Sequence, residues 1–197
     1  MTKRIILGGF LAGVAMFIWG ALSHMALGLE ESSIKEIPTE PAVLAAMQTG
    51  IKDAGFYFFP GMGPQQGLTK EQKAEAEKKW MEKYQAGPRG ILIYHPDGEQ
   101  AMSPKQLGLQ FGAVAVTGLL AALVLAQARS LRGYGGRLAF VTVLGLLPFL
   151  MVNFPYWNWY GFPTHYTLIQ LADKLITFFV AGLVLAAIVK PSAASPA

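Results

Sequence analysis

The chain has 197 residues, of which 53% are hydrophobic and only 14% charged, well below the roughly 25% charged content of soluble domains. It contains no cysteine, which rules out disulfides and thiolate chemistry and leaves histidine and carboxylates as the available metal ligands. The net charge of +4 arises from lysines and arginines flanking apolar blocks, not from a basic face, so it is no sign of a nucleic-acid partner.

Apolar residues gather in four blocks, and the first covers 5–27. It is long enough to cross a hydrocarbon core of roughly 30 Å. The competing reading is a cleaved signal peptide, but the stretch exceeds the usual apolar region of about 7–15 residues and no small-x-small cleavage site follows it. Gly9 and Gly13, extended by Gly20, form a small-residue face suited to close helix packing. Trp19, Ser23 and His24 lie toward the far end of this block.

Residues 28–106 carry eleven acidic and nine basic residues and read as a separate small α+β domain with a core that is marginal on its own. Thr39-Glu40-Pro41 opens a capped helix that ends near Gly50. The aromatic run Gly55–Phe59 is strand-like and closes at Pro60. Thr69 and Gln72 have the spacing of a capping box, opening a helix to about Gln85 with Trp80 and Tyr84 on its inward face. A second strand follows at Gly90–Tyr94, then a turn that includes His95, and a short hairpin return over Glu99 to Met102.

The second block, 107–128, carries Gly108 and Gly112, with Ala115, Leu119 and Ala122 continuing the face, and is expected to pack against the glycines of the first. The third block, 138–154, is shorter and contains Pro148. It leads into an outer loop, 153–166, in which Tyr156, Trp157, Trp159, Tyr160 and Phe162 crowd together. Such a loop is either an aromatic belt at headgroup level or an anchor for a partner or flat apolar ligand.

The fourth block, 167–189, holds the most informative pair in the chain. Asp173 and Lys174 are adjacent within an apolar span, whereas the other eleven acids all lie between Glu30 and Glu99. A charge at bilayer depth costs several kcal/mol unless it is paired or faces a wet interior. Tyr166, Gln170, Asp173 and Thr177 share one helical face, which should look into the bundle. Asp173 is then either a proton- or ion-handling group or a hydrogen-bonding strut, with Lys174 reaching outward to the interface.

His24, His165, Glu30, Glu31 and Asp173 are expected near one depth if the first and fourth helices are neighbours. Imidazole with carboxylate suits a metal or a haem, with His24 and His165 as ligands. No spacing demands this, and no cofactor is specified. Catalytic signatures such as Gly-x-Ser-x-Gly, a phosphate loop or a zincin motif are absent.

The fold expected is an α-helical integral membrane protein with four transmembrane helices. The small α+β domain is extracytoplasmic, and residues 191–197 form a cytoplasmic tail. The leading functional expectation is a non-catalytic accessory or structural subunit in a bacterial inner membrane, partnered by the lipid bilayer and by other membrane subunits or further copies. The alternatives are a haem-, metal- or quinone-binding redox protein using His24 and His165, and a small proton-coupled transporter using Asp173.

The short segments holding Lys3 and Arg4, then Arg129, Arg132 and Arg137, then Lys190 carry no acid, which orients both termini to the cytoplasm. Cysteines introduced at Ser33, Gln65 or Ser103 should therefore react with an impermeant thiol reagent in intact cells, and one at Ser130 should not. Labelling of Ser130Cys from outside would invert the assignment.

Overall fold

The computed structural model describes residues 2–190 and is 69% helical; the expected tail at 191–197 lies outside the described residues. Four helices are long and apolar enough to cross a membrane: α1 (Thr2–Ala26), α4 (Pro104–Gln127), α5 (Tyr134–Tyr160) and α6 (Thr164–Ile188). Between α1 and α4 come α2 (Glu40–Gly50), β1 (Gly55–Phe59), α3 (Lys70–Ala86) and β2 (Gly90–Tyr94). The chain divides into two units, Glu36–Glu99 and the remainder.

In the smaller unit β1 and β2 pair antiparallel, with Gly55 opposite Tyr94 and Phe59 opposite Gly90. Both halves of the Thr69–Gln72 capping box form at the start of α3. Trp80 donates to the Pro60 carbonyl at 2.8 Å, and Tyr84 lies against both Trp80 and Phe58. Two expectations fail here. Thr39 does not cap α2, because its left-handed backbone (φ 56°) turns the hydroxyl to the Pro38 carbonyl instead of a helix N–H. The hairpin return at Glu99–Met102 does not form; among the described residues the sheet has two strands, and this segment turns into α4.

In the helical unit α1 is central. It packs along α4 on one side and α6 on the other, and α6 in turn packs on α5. Its base, where α1 begins and α6 ends, is the tight half. There Ala12, Ala121, Ala122, Leu125, Val141, Ala181, Leu185 and Val189 make one buried cluster. Small residues let the backbones approach, which is where dispersion gains come from when the surroundings are themselves apolar. A Cβ built on Gly9 would lie 2.7 Å from the Leu119 Cα, and one on Gly13 would lie 2.6 Å from the Ala115 Cα.

The matching glycine on α4 is not one of the expected pair. Gly118 sits against the Gly9 carbonyl and the Gly13 backbone, whereas a Cβ at Gly20, Gly108 or Gly112 would meet nothing within 4 Å. Gly108 and Gly112 lie toward the start of α4, away from the closest approach of the two helices at 115–119. Farther along, Phe111 packs edge-on to Phe10 and Phe17, and those rings take the place of hydrogens between the helices.

The third apolar block is also longer than expected. Helix runs through Tyr134–Tyr160, so Tyr156, Trp157, Trp159 and Tyr160, assigned to a loop at 153–166, form its last turns, while Phe162 stays in the short link that follows. Pro148 lacks an N–H, and the helix continues past it with a turn at Gly145 on one side and a wider π-turn at Phe149–Asn153 on the other. Gly161, at φ 73°, then ends α5, and Pro163 leads into α6. At the base Arg137 is buried and donates through Nε and Nη2 to the Ala186 carbonyl, at 3.0 and 2.8 Å. That carbonyl belongs to the last turn of α6 and has no helical N–H to accept from. Arg137 is thus a helix cap as well as a flanking charge.

Replacing Gly118 with leucine should cost about 1–3 kcal/mol of stability, since no flexible side chain can yield to it. Gly112→Ala should be within about 0.5 kcal/mol of the parent, as expected where nothing is contacted. Thermal unfolding in detergent measures both, and equal losses would show that the glycine contact does not set the α1–α4 spacing.

Candidate functional site

Asp173 lies on the inward face of α6 and is 6% exposed. Its Oδ1 accepts from Trp19 Nε1 at 2.9 Å and from Ser23 Oγ at 3.0 Å, both on α1. Its Oδ2 accepts from Lys174 Nζ at 3.2 Å. Lys174 therefore folds back onto its neighbour instead of reaching outward along the helix. Burial makes the ion pair a better solution than solvent-seeking extension, because it leaves neither charge alone among apolar groups. Trp19 and Ser23 are one turn apart on α1, so a single carboxylate ties two turns of that helix to α6. Behind the pair, Gly145 of α5 comes so close that a Cβ there would lie 2.7 Å from the Lys174 carbonyl.

Toward the mouth, where α1 ends and α6 begins, Glu30 bridges two groups. Its Oε1 accepts from the Tyr166 hydroxyl at 2.9 Å, and its Oε2 lies 3.3 Å from His24 Nε2. The turn carrying Ser23 and His24, Leu22–Ala26, is π-helical. One extra residue per turn is a common device for re-aiming side chains at a site. Gln170, buried one turn along α6, also meets Tyr166. The stripe thus faces the bundle, with Tyr166 and Gln170 at the Glu30 cluster, Asp173 at its own, and Thr177 lining a cavity beside it.

The expected convergence of five metal-ligating groups does not occur. His24 reaches Glu30, but His165 is exposed, at the first turn of α6 and off the inward face. Among the described residues no three His, Asp or Glu side chains come together. His24 and His165 are therefore not placed as a ligand pair.

Between α1, α4 and α6 lies a partly enclosed cleft of about 510 Å³, closed on one side by Pro148 of α5. Met16, Phe17, Gly20, Ala21 and Met25 form its α1 wall, and Leu107, Gln110, Val114 and Thr117 its α4 wall. Asp173, Lys174, Thr177 and Phe178 come from α6, with His24 and Met102 near the mouth. The volume is in the range of small-molecule sites, and the lining is the usual mixture of apolar walls with few polar groups. Sequence reasoning singled out Asp173, Lys174 and Thr177 but missed the α4 wall. The signal was there: residues 107, 110, 114 and 117 follow i, i+3, i+7, i+10, one helical face on which Gln110 and Thr117 interrupt apolar residues.

The aromatic end of α5 makes a ladder of its own. Tyr156 lies against Tyr160 and Phe162, and Phe162 against Tyr166. Trp157 packs on Phe154 and donates to Thr164 Oγ1 at 3.1 Å, so it ties the end of α5 to the start of α6. Trp159 is 72% exposed.

Asp173→Leu should destabilise the protein more than Asp173→Asn, by about 1–3 kcal/mol, because it strands Trp19 Nε1, Ser23 Oγ and the Lys174 ammonium group. The asparagine oxygen still accepts from Trp19 and Ser23. Ser23→Ala should cost only about 1 kcal/mol, the scale of one hydrogen bond. Thermal unfolding of the three variants checks the order, and equal values for leucine and asparagine would remove Asp173 as the joint between α1 and α6.

Compared with protein-family models, curated proteins and solved structures, the chain gives no match.

Proposed function

We propose that the chain is a multi-pass protein of a bacterial inner membrane that binds an amphiphilic molecule in the cleft between α1, α4 and α6, without catalysing a reaction itself. The observation that carries this reading is the cleft with the Asp173–Lys174 pair in its wall. A pair needed only for packing is best covered completely. Here the Lys174 side chain stays 31% exposed, lining a hollow in which a Cβ on Gly20 of α1 would meet nothing within 4 Å. The base of the bundle is tightly filled, so the opening at the mouth is not a general looseness of packing.

Both termini on the cytoplasmic side, and the Glu36–Glu99 unit on the other, follow from the placement of Lys3, Arg4, Arg129, Arg132 and Lys190. The role of such a protein is accessory: it presents or retains a lipid-soluble molecule for other membrane components. A second reading, a subunit docked through its aromatic end, is favoured by the exposure of Trp159 beside rings that already support one another. Trp157 is a poorer probe of docking, since its bond to Thr164 is internal.

Mass spectrometry of protein extracted in mild detergent tests both readings. Gly20→Phe fills the cleft where a Cβ meets no neighbour, so the variant should fold with an unchanged melting temperature and lose a copurifying amphiphile. Retention of the same molecule by Gly20→Phe would sink the cleft reading. Loss of a protein partner from Trp159→Ala but not Trp159→Phe, by about 2 kcal/mol or more of association, would instead favour the docking reading.

A further inference from the structure

Within the wall of the cleft, the Asp173–Lys174 pair has more free hydrogen-bond donors than free acceptors. Lys174 has three N–H donors; one reaches Asp173 Oδ2, and among the described residues the ammonium group has no other partner. Asp173, by contrast, is nearly saturated: of its roughly four acceptor sites, Oδ1 accepts from Trp19 and Ser23 and Oδ2 from Lys174. Net charge narrows the choice further. Asp173 and Lys174 cancel, and Glu30, close to His24 at the mouth, adds negative charge. An anionic ligand would therefore enter without a compensating positive field, among methionine, phenylalanine, valine and leucine side chains that solvate charge poorly.

We infer that the cleft recognises an uncharged amphiphile through a carbonyl oxygen that accepts a hydrogen bond from Lys174, with the apolar body lying along Met16, Phe17, Val114 and Phe178. This rests on the reading of the cleft as a binding site and gives that site its ligand class. A charged donor bonds a neutral acceptor more strongly than a neutral donor does, so this contact is worth about tenfold or more in affinity. The methionines Met16, Met25 and Met102 adapt to irregular or ring-shaped bodies. Two sources share this chemistry: the ester carbonyl of an acyl lipid and the ring carbonyl of a quinone-like molecule.

The test measures displacement of a tritiated, fully ring-substituted decyl-benzoquinone from the full-length protein in detergent. Competitors are methyl palmitate, decylbenzene, and palmitate held ionised at pH 8. Both carbonyl compounds, or one of them, should bind about tenfold tighter than decylbenzene and tighter than palmitate, and whichever binds better identifies the source. Lys174→Met should remove that preference while leaving decylbenzene within about twofold of its starting affinity, as for a purely apolar contact. Because Lys174→Met leaves the Asp173 carboxylate unpaired, the double variant Asp173→Asn/Lys174→Met is measured beside it. That variant keeps the acceptor for Trp19 and Ser23 and restores charge balance.

Equal affinities for all the uncharged compounds, unchanged in the double variant, would overturn the carbonyl inference and leave a groove for apolar chains. Tightest binding of ionised palmitate would overturn it in favour of an anion site. Failure of every compound to bind, or binding that survives Gly20→Phe, would defeat the cleft reading itself.

Discussion

A carboxylate cannot be left alone among apolar side chains, and the helical unit is arranged around that constraint at Asp173. Its two oxygens hold Trp19 and Ser23 of α1 and the ammonium group of the adjacent Lys174. These bonds fix the register of α1 on α6, since one carboxylate engages donors a full turn apart. They also hold Lys174 beside the cleft instead of letting it extend along the helix. Gly145 of α5 lets a third helix press against the backbone at that same level, so the pair is braced from behind as well as from the side.

The two halves of the bundle solve different packing problems. At the base, glycine and alanine bring α1, α4, α5 and α6 into close contact, and Arg137 satisfies the last turn of α6. Toward the mouth the same α1–α4 seam changes from Gly9 and Gly13 to Phe17 against Phe111. An edge-on pair of rings holds helices farther apart than two hydrogens do. Together with the weak packing of α4 on α5 and α6, this opens the cleft. The closely packed base thus lies beneath an opening lined by Met16, Met25 and Met102, with the Asp173–Lys174 pair in its wall.

The mouth carries a second polar cluster, in which Glu30 joins His24 to Tyr166. It fastens the segment after α1 to the first turn of α6. The aromatic ladder of α5 ends on Tyr166 too, so one tyrosine links the carboxylate cluster to the rings. Chemistry at this end is therefore mainly mechanical: it holds three chain segments together where the cleft begins. Such a joint has no need of a third ligand-like residue, and His165 faces elsewhere.

Much of this was legible in the residues themselves. Uninterrupted apolar blocks specify helices long enough to cross a membrane because only a helix satisfies all the backbone hydrogen bonds of a single segment without water. The spacing of Tyr166, Gln170, Asp173 and Thr177 identified the inward face of α6, since a helix has only one side that can hide polar groups. The Thr69–Gln72 box likewise declares itself, because both of its bonds are local. What tertiary structure alone decided depends on how helices meet. Gly118 rather than Gly108 or Gly112 packs on α1, because the crossing point follows from the whole interface and not from a four-residue spacing. Pro148 proved compatible with a continuous α5, since the helix gives way locally, with a turn at Gly145 before it and a π-turn at Phe149–Asn153 after it. The cleft wall of α4 acquired meaning only once α1, α4 and α6 enclosed one hollow, with Gln110 and Thr117 lining it together with Asp173 and Lys174. Residue types announce which groups need partners; the partners themselves come from a packing that no single helix contains.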